Sequence, residues 1–260
     1  MGEMLSGVFL VPFLTGLALA VLLPLLGCYL RLRHEWLAAL AYANVAAAGA
    51  LAAMAASLPL VAGGLAASLG AVLVKRLAAS RLGRGTAYAL LLIAGWAVAV
   101  LIAANLPMAE RLGHALFDGQ LYFADGGHLL VAVLGAAIIV PLLAVLSRRL
   151  LLAEIYPHHF RIQGLAAWPV QLGFDVLVVS ALAAATMSLG VMGTFALAFV
   201  PPWLAFARAA NWRRGLFLAT AHSLAAYVAA FALALHFDQP FGPVLALVAA
   251  TSALPLLPRR

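Results

Sequence analysis

Two polar side chains interrupt apolar stretches in which such residues are rare. Asn44 lies within the stretch 37–57, and His222 lies within the stretch 215–235. If these stretches cross a membrane, a polar side chain is costly enough there to be a functional candidate. Both residues are therefore candidates for the lining of a translocation pathway, and the His222 imidazole is also a candidate ligand for a divalent metal ion. The alternative is that each makes one hydrogen bond between helices.

Other residues that are capable of chemistry give weaker signals. Asp175 lies near one end of an apolar stretch, where it is expected to be a helix cap or the partner of a loop arginine. His34 and Glu35 begin like a zinc-protease signature, but Ala38 stands where the second histidine is required. The single cysteine, Cys28, excludes a disulfide framework and a multi-cysteine metal site. An intramembrane enzyme therefore has no support, and we expect a protein that is not itself an enzyme.

The composition of the 260-residue chain explains where these side chains must sit. Residues of the apolar set make up 67% of the sequence and charged residues 9%, against about 25% charged residues in a typical soluble domain. A soluble enzyme and a disordered chain are excluded, and the net charge of +7 does not indicate a nucleic-acid partner. The environment that suits this composition is a lipid bilayer.

The apolar stretches predict an all-α, polytopic transmembrane helical bundle with eight to nine spans, each of about 20 residues. We expect one transmembrane domain over residues 1–260, with no room for a nucleotide-binding domain. Whatever energy source drives the protein must then be a partner or an ion gradient. The nine predicted spans lie near 7–30, 37–57, 59–74, 87–106, 129–147, 169–188, 190–207, 215–235 and 241–257.

The connections between the predicted spans alternate in charge. Fourteen of the fifteen lysines and arginines fall on one side, and Arg111 is the exception. Because basic loops stay in the cytoplasm, the N-terminus is expected outside and the C-terminus in the cytoplasm of a multi-pass inner-membrane protein. The opposite loops hold four acidic residues, Glu110, Asp118, Asp125 and Asp238. They are expected either to dock an extracytoplasmic partner or attract cations, or to be simply solvated loop charges.

The longest basic connection contains a short amphipathic segment, within about 150–167, that ends at a glycine. The glycine is suited to end a short helix, which could lie along the membrane surface and contact a cytoplasmic partner; the alternative is a simple connecting loop. Its proposed contact residues are Tyr156, His158, His159, Phe160, Arg161, Gln163 and Gly164.

At this point the chain resembles the permease subunits of ATP-binding-cassette (ABC) importers for zinc, manganese and iron. The residues that carry the resemblance are Pro12-Phe13 with Gly27 and Arg33, Leu116-Phe117 with Gly119 and Leu121, the segment 156–165, Gly193 with Pro201, and 238–242. The resemblance implies a permease dimer, two copies of a separate ATPase that binds ATP and Mg²⁺, and an extracytoplasmic binding protein. This chain would bind no cofactor and would pass a divalent metal as cargo. The segment 156–165 would be the family's coupling helix.

The sequence departs from the family at the metal-gripping positions of the second helix. Where the family usually has an aspartate and a histidine four residues apart, this chain has Leu40 and Asn44. An acidic pair expected after the third span falls near Arg84-Gly85. These departures leave open a permease for a non-metal or chelated-metal cargo. A secondary carrier without an ATPase and a non-transporting scaffold are the remaining alternatives.

Overall fold

The structure is a computed structural model that describes residues 7–119, 121–156, 158 and 166–254. The described chain is helical throughout apart from short connections, which confirms the all-α prediction. Its nine α-helices are α1 (Gly7–Leu32), α2 (Leu37–Ala55), α3 (Leu60–Leu82), α4 (Arg84–Asn105), α5 (Pro107–Asp118), α6 (Gly126–Ile155), α7 (Trp168–Phe206), α8 (Trp212–His236) and α9 (Phe241–Ser252). A 3₁₀ turn at Leu121–Phe123 follows α5.

Seven of the described helices are long and apolar enough to cross a membrane, and α9 is a shorter apolar helix. One of the seven, α7, spans 39 residues but has a non-helical residue, Gly190, within it. If its two halves are counted separately, the described residues hold eight apolar segments, and the 12-residue α9 is a ninth. The polytopic helical bundle is therefore confirmed, while the number of eight to nine spans stays a prediction.

The two halves of α7 run in opposite directions. Arg33 at the end of α1 donates to Asp175 in the first half at 3.0 Å, and Arg31 donates to the Pro202 carbonyl in the second half at 3.2 Å. Along a straight helix, positions 175 and 202 would be about 40 Å apart. Both halves therefore reach the same end of α1, and the chain reverses at Gly190.

Glycine is required at this reversal for two reasons. Gly190 has φ 75° and ψ 172°, a backbone conformation that other residues rarely adopt. A Cβ atom at Gly190 would also collide with the backbone of Gly119, which has φ 75° itself. The turn of α7 and the end of α5 are thus in direct backbone contact.

The bundle is organised around α2. Of the 18 residues in the apolar stretch of α2, 72% are buried, against 17% in α6 and 28% in α3 and α4. The corresponding value for α7 is 67%, so α2 and α7 form the centre of the bundle. Alanines line most of α2, and Gly49 on α2 meets Gly63 on α3 so closely that a Cβ on either would strike the other backbone. Small side chains of this kind allow helices to approach closely in lipid.

Candidate functional site

The end of the bundle where α1 stops contains a cluster of buried charges, which we call the basic-end cluster: Arg33, Glu35, Lys75, Arg84 and Asp175. Its centre is the Asp175 carboxylate, in the first half of α7. Arg33 Nη1 lies 3.0 Å from Asp175 Oδ1, and Lys75 Nζ lies 2.7 Å from Asp175 Oδ2. All three side chains are 6% exposed or less. Each carboxylate oxygen therefore has its own cation, as a buried carboxylate requires.

Glu35 extends the cluster toward the surface. Arg33 Nη2 lies 3.0 Å from Glu35 Oε2, and the Tyr88 hydroxyl donates to the same oxygen at 3.1 Å. Arg84 Nη1 lies 3.3 Å from Glu35 Oε1 and is half-exposed. The cluster joins the end of α1 to α3, α4 and α7 through three cations and two carboxylates. The ion pairs of the cluster hold these helices in fixed positions relative to one another.

The sequence predicted only part of this cluster. The expectation that Asp175 pairs with a loop arginine is confirmed by Arg33, and the helix-cap alternative is wrong because Asp175 is the eighth residue of α7. Lys75 was expected in a connection, because the apolar run of α3 ends near residue 74. Instead α3 continues to Leu82, and the lysine turns inward to Asp175. The sequence signal for a second partner was Asp175 itself, since a carboxylate at that depth in the membrane needs more than one cation or hydrogen-bond donor.

Asn44 and Leu40 lie inside the packed centre. Asn44 is 4% exposed, and its Nδ2 donates to the carbonyl of Leu40 at 2.9 Å, within α2. Leu40 is half-buried and packs with the buried alanines of α2. The backbone of α4 approaches here, because a Cβ on Gly95 would meet Asn44 and Val45 at about 3 Å. The pathway role of Leu40 and Asn44 stays a prediction.

His222 lies between two helices rather than among other ligands. Its Nε2 is 2.9 Å from the Ser252 hydroxyl of α9, and the side chain is half-buried. Within the described ranges, no group of three or more His, Cys, Asp or Glu side chains is placed to hold a metal ion. His222 therefore makes a hydrogen bond between two helices, which was the alternative to a pathway role in the sequence analysis. Its metal and pathway roles stay predictions.

The four predicted docking carboxylates lie at the opposite end of the bundle, which we call the acidic end. Glu110 and Asp118 are on α5, Asp125 precedes α6, and Asp238 precedes α9. Close backbone contacts join these elements, since a Cβ on Gly242 of α9 would strike the carbonyl of Asp118. The four residues therefore share one end, as the charge pattern predicts, while their docking role stays a prediction.

Asp125 has a defined local geometry. Its Oδ1 accepts from the His128 backbone N–H at 3.0 Å and lies 2.7 Å from His128 Nδ1, in a capping box at the start of α6. The hydrogen bonds from the His128 backbone, then from the His128 ring, lower the pKa of the Asp125 carboxyl below its usual value. Asp125 is therefore ionised at neutral pH.

The predicted coupling segment is only partly described. Tyr156, directly after α6, is 62% exposed, and His158 is exposed. His159, Phe160, Arg161, Gln163 and Gly164 lie outside the described residues. The described helix ends on either side of the segment lie at the basic end. Ser147 of α6 accepts a hydrogen bond from Tyr29 of α1, and the Trp168 carbonyl at the start of α7 accepts one from Arg76 of α3.

Comparisons with known proteins agree with this architecture. The family model described as the ABC 3 transport family matches residues 7–258. The probable iron transport system membrane protein of Haemophilus influenzae is 27% identical over 241 residues, which cover 91% of this chain and 88% of that protein.

Two solved structures share the fold. PsaBC from Streptococcus pneumoniae, in complex with Fab, superimposes with a TM-score of 0.86 at 18% identity, over 97% of this chain and 92% of that chain. An ABC transporter assigned to the metal-chelate type, in an inward-facing conformation, superimposes with a TM-score of 0.74 at 19% identity, over 95% of this chain and 83% of that chain. At these identities the likeness shows the fold alone. Since the family model spans almost the whole sequence, this multi-pass inner-membrane protein belongs to the ABC 3 transport family, whose members are permease subunits of ABC transporters.

Proposed function

We propose that this chain is the permease subunit of an ABC importer that brings a divalent transition metal, zinc, manganese or iron, across the inner membrane. The observation that supports this most is the family match over residues 7–258, and the iron transport role named for the Haemophilus influenzae relative supports a metal as the cargo. Family membership argues against the secondary-carrier and scaffold alternatives.

The energy for transport comes from a separate subunit. The described chain is almost entirely membrane helix, and such a bundle has no layered α/β fold to hold a nucleotide. We therefore assign ATP and Mg²⁺ to two copies of a partner ATPase, and we assign this chain to a permease dimer that binds no cofactor. With the basic end in the cytoplasm, as the positive-inside rule predicts, the acidic end faces a binding protein that delivers the cargo.

The segment that follows Tyr156 transmits the movement of the ATPase. It lies between α6 and α7, whose ends are on the basic side of the bundle, and Tyr156 and His158 present exposed side chains there. A rigid contact at this place passes a closure of the ATPase to α7, which the basic-end cluster ties to α1 and α3.

Replacing Gly164 with proline tests the coupling role. We expect G164P to retain ATP hydrolysis by the assembled transporter while metal uptake falls at least tenfold, because the segment no longer fits its cleft in the ATPase. Gly126→Pro is the control, since Gly126 is the first residue of α6 and has open space around it, where proline is tolerated. Unchanged uptake in G164P would refute the coupling role.

A second candidate cargo is a chelated metal or a non-metal compound. It is favoured by the uncharged side chains of Leu40 and Asn44 in the packed centre, because an aliphatic chain and one amide grip a bare cation poorly. A chelated ion brings its own ligands and does not need an aspartate–histidine pair.

The metal content of cells separates the two candidates. Cells that lack the gene and cells that overproduce the protein are grown in chelated medium, and their zinc, manganese and iron are measured together. A selective fall of one metal on deletion supports the importer, and supplying the same metal as the bare ion or as a chelate identifies the form carried. No change in any of the three metals on deletion would contradict metal import.

A further inference from the structure

A groove opens at the basic end of the bundle, between the last turn of α1 and the second half of α7. It is a cavity of about 250 Å³ whose walls include Arg31, His34, Trp36, Phe199 and Trp203. The Trp36 and Phe199 rings, with centres 5.7 Å apart, form one side. We call this cavity the basic-end groove. It is large enough for several water molecules, at about 30 Å³ each, and therefore for a phosphate group.

The turn from α1 to α2 directs alternate side chains to opposite sides. Arg33 and Glu35 are buried in the basic-end cluster, whereas His34 and Trp36 are exposed at the groove. His34 has φ 55°, a left-handed conformation that is uncommon in residues other than glycine. The turn therefore separates the paired charges of the cluster from the basic and aromatic side chains of the groove.

Arg31 is held in the groove with hydrogen-bond donors left over. Its Nη1 donates to the carbonyls of Pro202 and Trp203, at 3.2 and 2.7 Å, and its guanidinium carbon lies 5.5 Å from the centre of the Phe206 ring. Both hydrogen bonds use Nη1, and no described residue accepts one from Nη2 or Nε. Because a guanidinium carries five N–H donors, several remain for a further acceptor.

The positive charge of the groove has no counter-charge. Arg33 contacts two carboxylates, each at 3.0 Å, but within the described ranges no ion pair includes Arg31. The described lining of the groove also contains no acidic side chain. A planar guanidinium that is fixed in this way matches the oxygens of a phosphate. The groove is therefore suited to an anionic ligand.

The exposed tryptophans indicate that the ligand is a lipid. Trp36 and Trp203 are 51% and 42% exposed, and tryptophans of membrane proteins concentrate at the level of the lipid headgroups. Other walls of the groove, such as Leu30 and Ala198, are apolar. Hydrocarbon chains cover these walls, whereas a soluble phosphate leaves them uncovered. Basic pockets between transmembrane helices on the cytoplasmic side bind anionic headgroups in this way.

We propose that the basic-end groove binds one anionic phospholipid of the cytoplasmic leaflet. Arg31 and His34 donate to its phosphate, Trp36 and Trp203 flank the headgroup, and an acyl chain lies against α1 and the second half of α7. The lipid thus bridges α1 and the second half of α7, while the basic-end cluster ties α1 to the first half. This inference goes beyond the proposed function, because it does not depend on the cargo.

The test uses the permease assembled with its ATPase and purified in a neutral detergent. Phosphatidylglycerol or phosphatidylcholine, each with brominated acyl chains, is added while tryptophan fluorescence is recorded, because bromine quenches only nearby rings. We expect phosphatidylglycerol to reach half-maximal quenching at a concentration about fivefold lower. Trp36→Phe should remove most of this preferential quenching. Trp96→Phe should retain it, because Trp96 is similarly exposed but lies on α4.

Replacing the arginine separates a defined site from general charge attraction. Arg31→Gln should weaken phosphatidylglycerol binding about fivefold, whereas Arg81→Gln, which removes an exposed charge from the end of α3, should bind as the wild type does. Because R31Q also loses contacts with α7, the thermal midpoint of each variant is measured in both lipids. Phosphatidylglycerol should raise the midpoint by about 3–5 °C over phosphatidylcholine in the wild type and R81Q, and by less than half as much in R31Q.

Each outcome decides the inference. Equal affinity of R31Q and the wild type for phosphatidylglycerol would overturn it, and so would an equal loss in R81Q or equal quenching by the two lipids. Complete competition by soluble glycerol 3-phosphate would assign the groove to a free phosphate instead. If neither lipid quenches Trp36, the groove is covered by protein in the assembled transporter, and the lipid site is wrong. A failure of metal uptake contradicts the proposed function and leaves this site unaffected.

Discussion

The two ends of the bundle are closed by different means. At the basic end, Asp175 holds Arg33 and Lys75 in a buried cluster with both ion-pair distances at 3.0 Å or less. At the acidic end, helices meet backbone to backbone at Gly119 and Gly190, and the charged side chains there, such as Asp125 and Asp118, are largely exposed.

The helix contacts at the basic end therefore depend on paired charges, whereas those at the acidic end depend on close backbone packing. Each charge of the basic-end cluster is stable in its buried place only while its partners remain, because an unpaired buried ion is strongly destabilising. The acidic end loses little when an exposed charge is removed, since water replaces the partner. It is sensitive instead to any added atom where the backbones touch. The following predictions test that contrast.

The largest expected effect is at the centre of the charge cluster. Asp175→Asn leaves Lys75 buried without a counter-charge and leaves Arg33 with Glu35 alone, and we expect a loss of about 3–5 kcal/mol of stability. Thermal unfolding of the purified permease in detergent measures it. Asp118→Asn at the acidic end is the control, and its thermal midpoint should match the wild type. Equal midpoints for both variants would mean that the basic end is not held by charge.

A smaller effect is expected at the backbone contact. Gly190→Ala forces a side chain into a φ of 75° and against the Gly119 backbone, which costs about 1–3 kcal/mol. Gly70→Ala on α3 is the control, because nothing lies within 4 Å of its added Cβ. Thermal unfolding compares the two, and an undisturbed G190A would show that the reversal of α7 does not need glycine.

A double-mutant cycle sharpens the account of the cluster. For Lys75→Met and Asp175→Asn we expect a coupling energy of about 0.5–3 kcal/mol, because the two side chains are in direct contact. The same cycle between Lys75→Met and Asp118→Asn, whose sites lie at opposite ends, should give additive effects. Additivity of the Lys75 and Asp175 changes would contradict the ion pair.

The smallest effect is a local response to pH at the acidic end. Since hydrogen bonds from His128 lower the pKa of Asp125 in the folded state, the cap contributes stability above the unfolded pKa. That contribution is lost as the pH falls through the folded value. Amide hydrogen exchange at His128, corrected for intrinsic rates, should therefore increase on acidification below about pH 4. D125N should abolish this dependence, and its persistence in D125N would point to another group.

Much of the fold could be predicted from hydropathy and charge, because a bilayer imposes both patterns directly. The runs 169–188 and 190–207 already mark the two halves of α7, separated at Leu189 beside the Gly190 turn. The inward turn of Lys75 could not be predicted, since a lysine at the end of an apolar run usually extends toward the surface. Only the fold brings it to Asp175, a hundred residues away.

The contacts of the candidate site residues were harder to predict from the sequence. Asn44 and His222 stood out because they are polar, but their contacts are with the Leu40 carbonyl and the Ser252 hydroxyl.

The most direct test of metal import is transport by the purified components. The permease and its ATPase are reconstituted in proteoliposomes with the binding protein, and zinc, manganese and iron uptake is measured with ATP, without ATP, and with an ATPase that cannot hydrolyse it. The proposed function predicts ATP-dependent accumulation of one of these metals that is absent without this chain. ATP hydrolysis that the binding protein stimulates, with none of the three metals accumulating in any form, would contradict it.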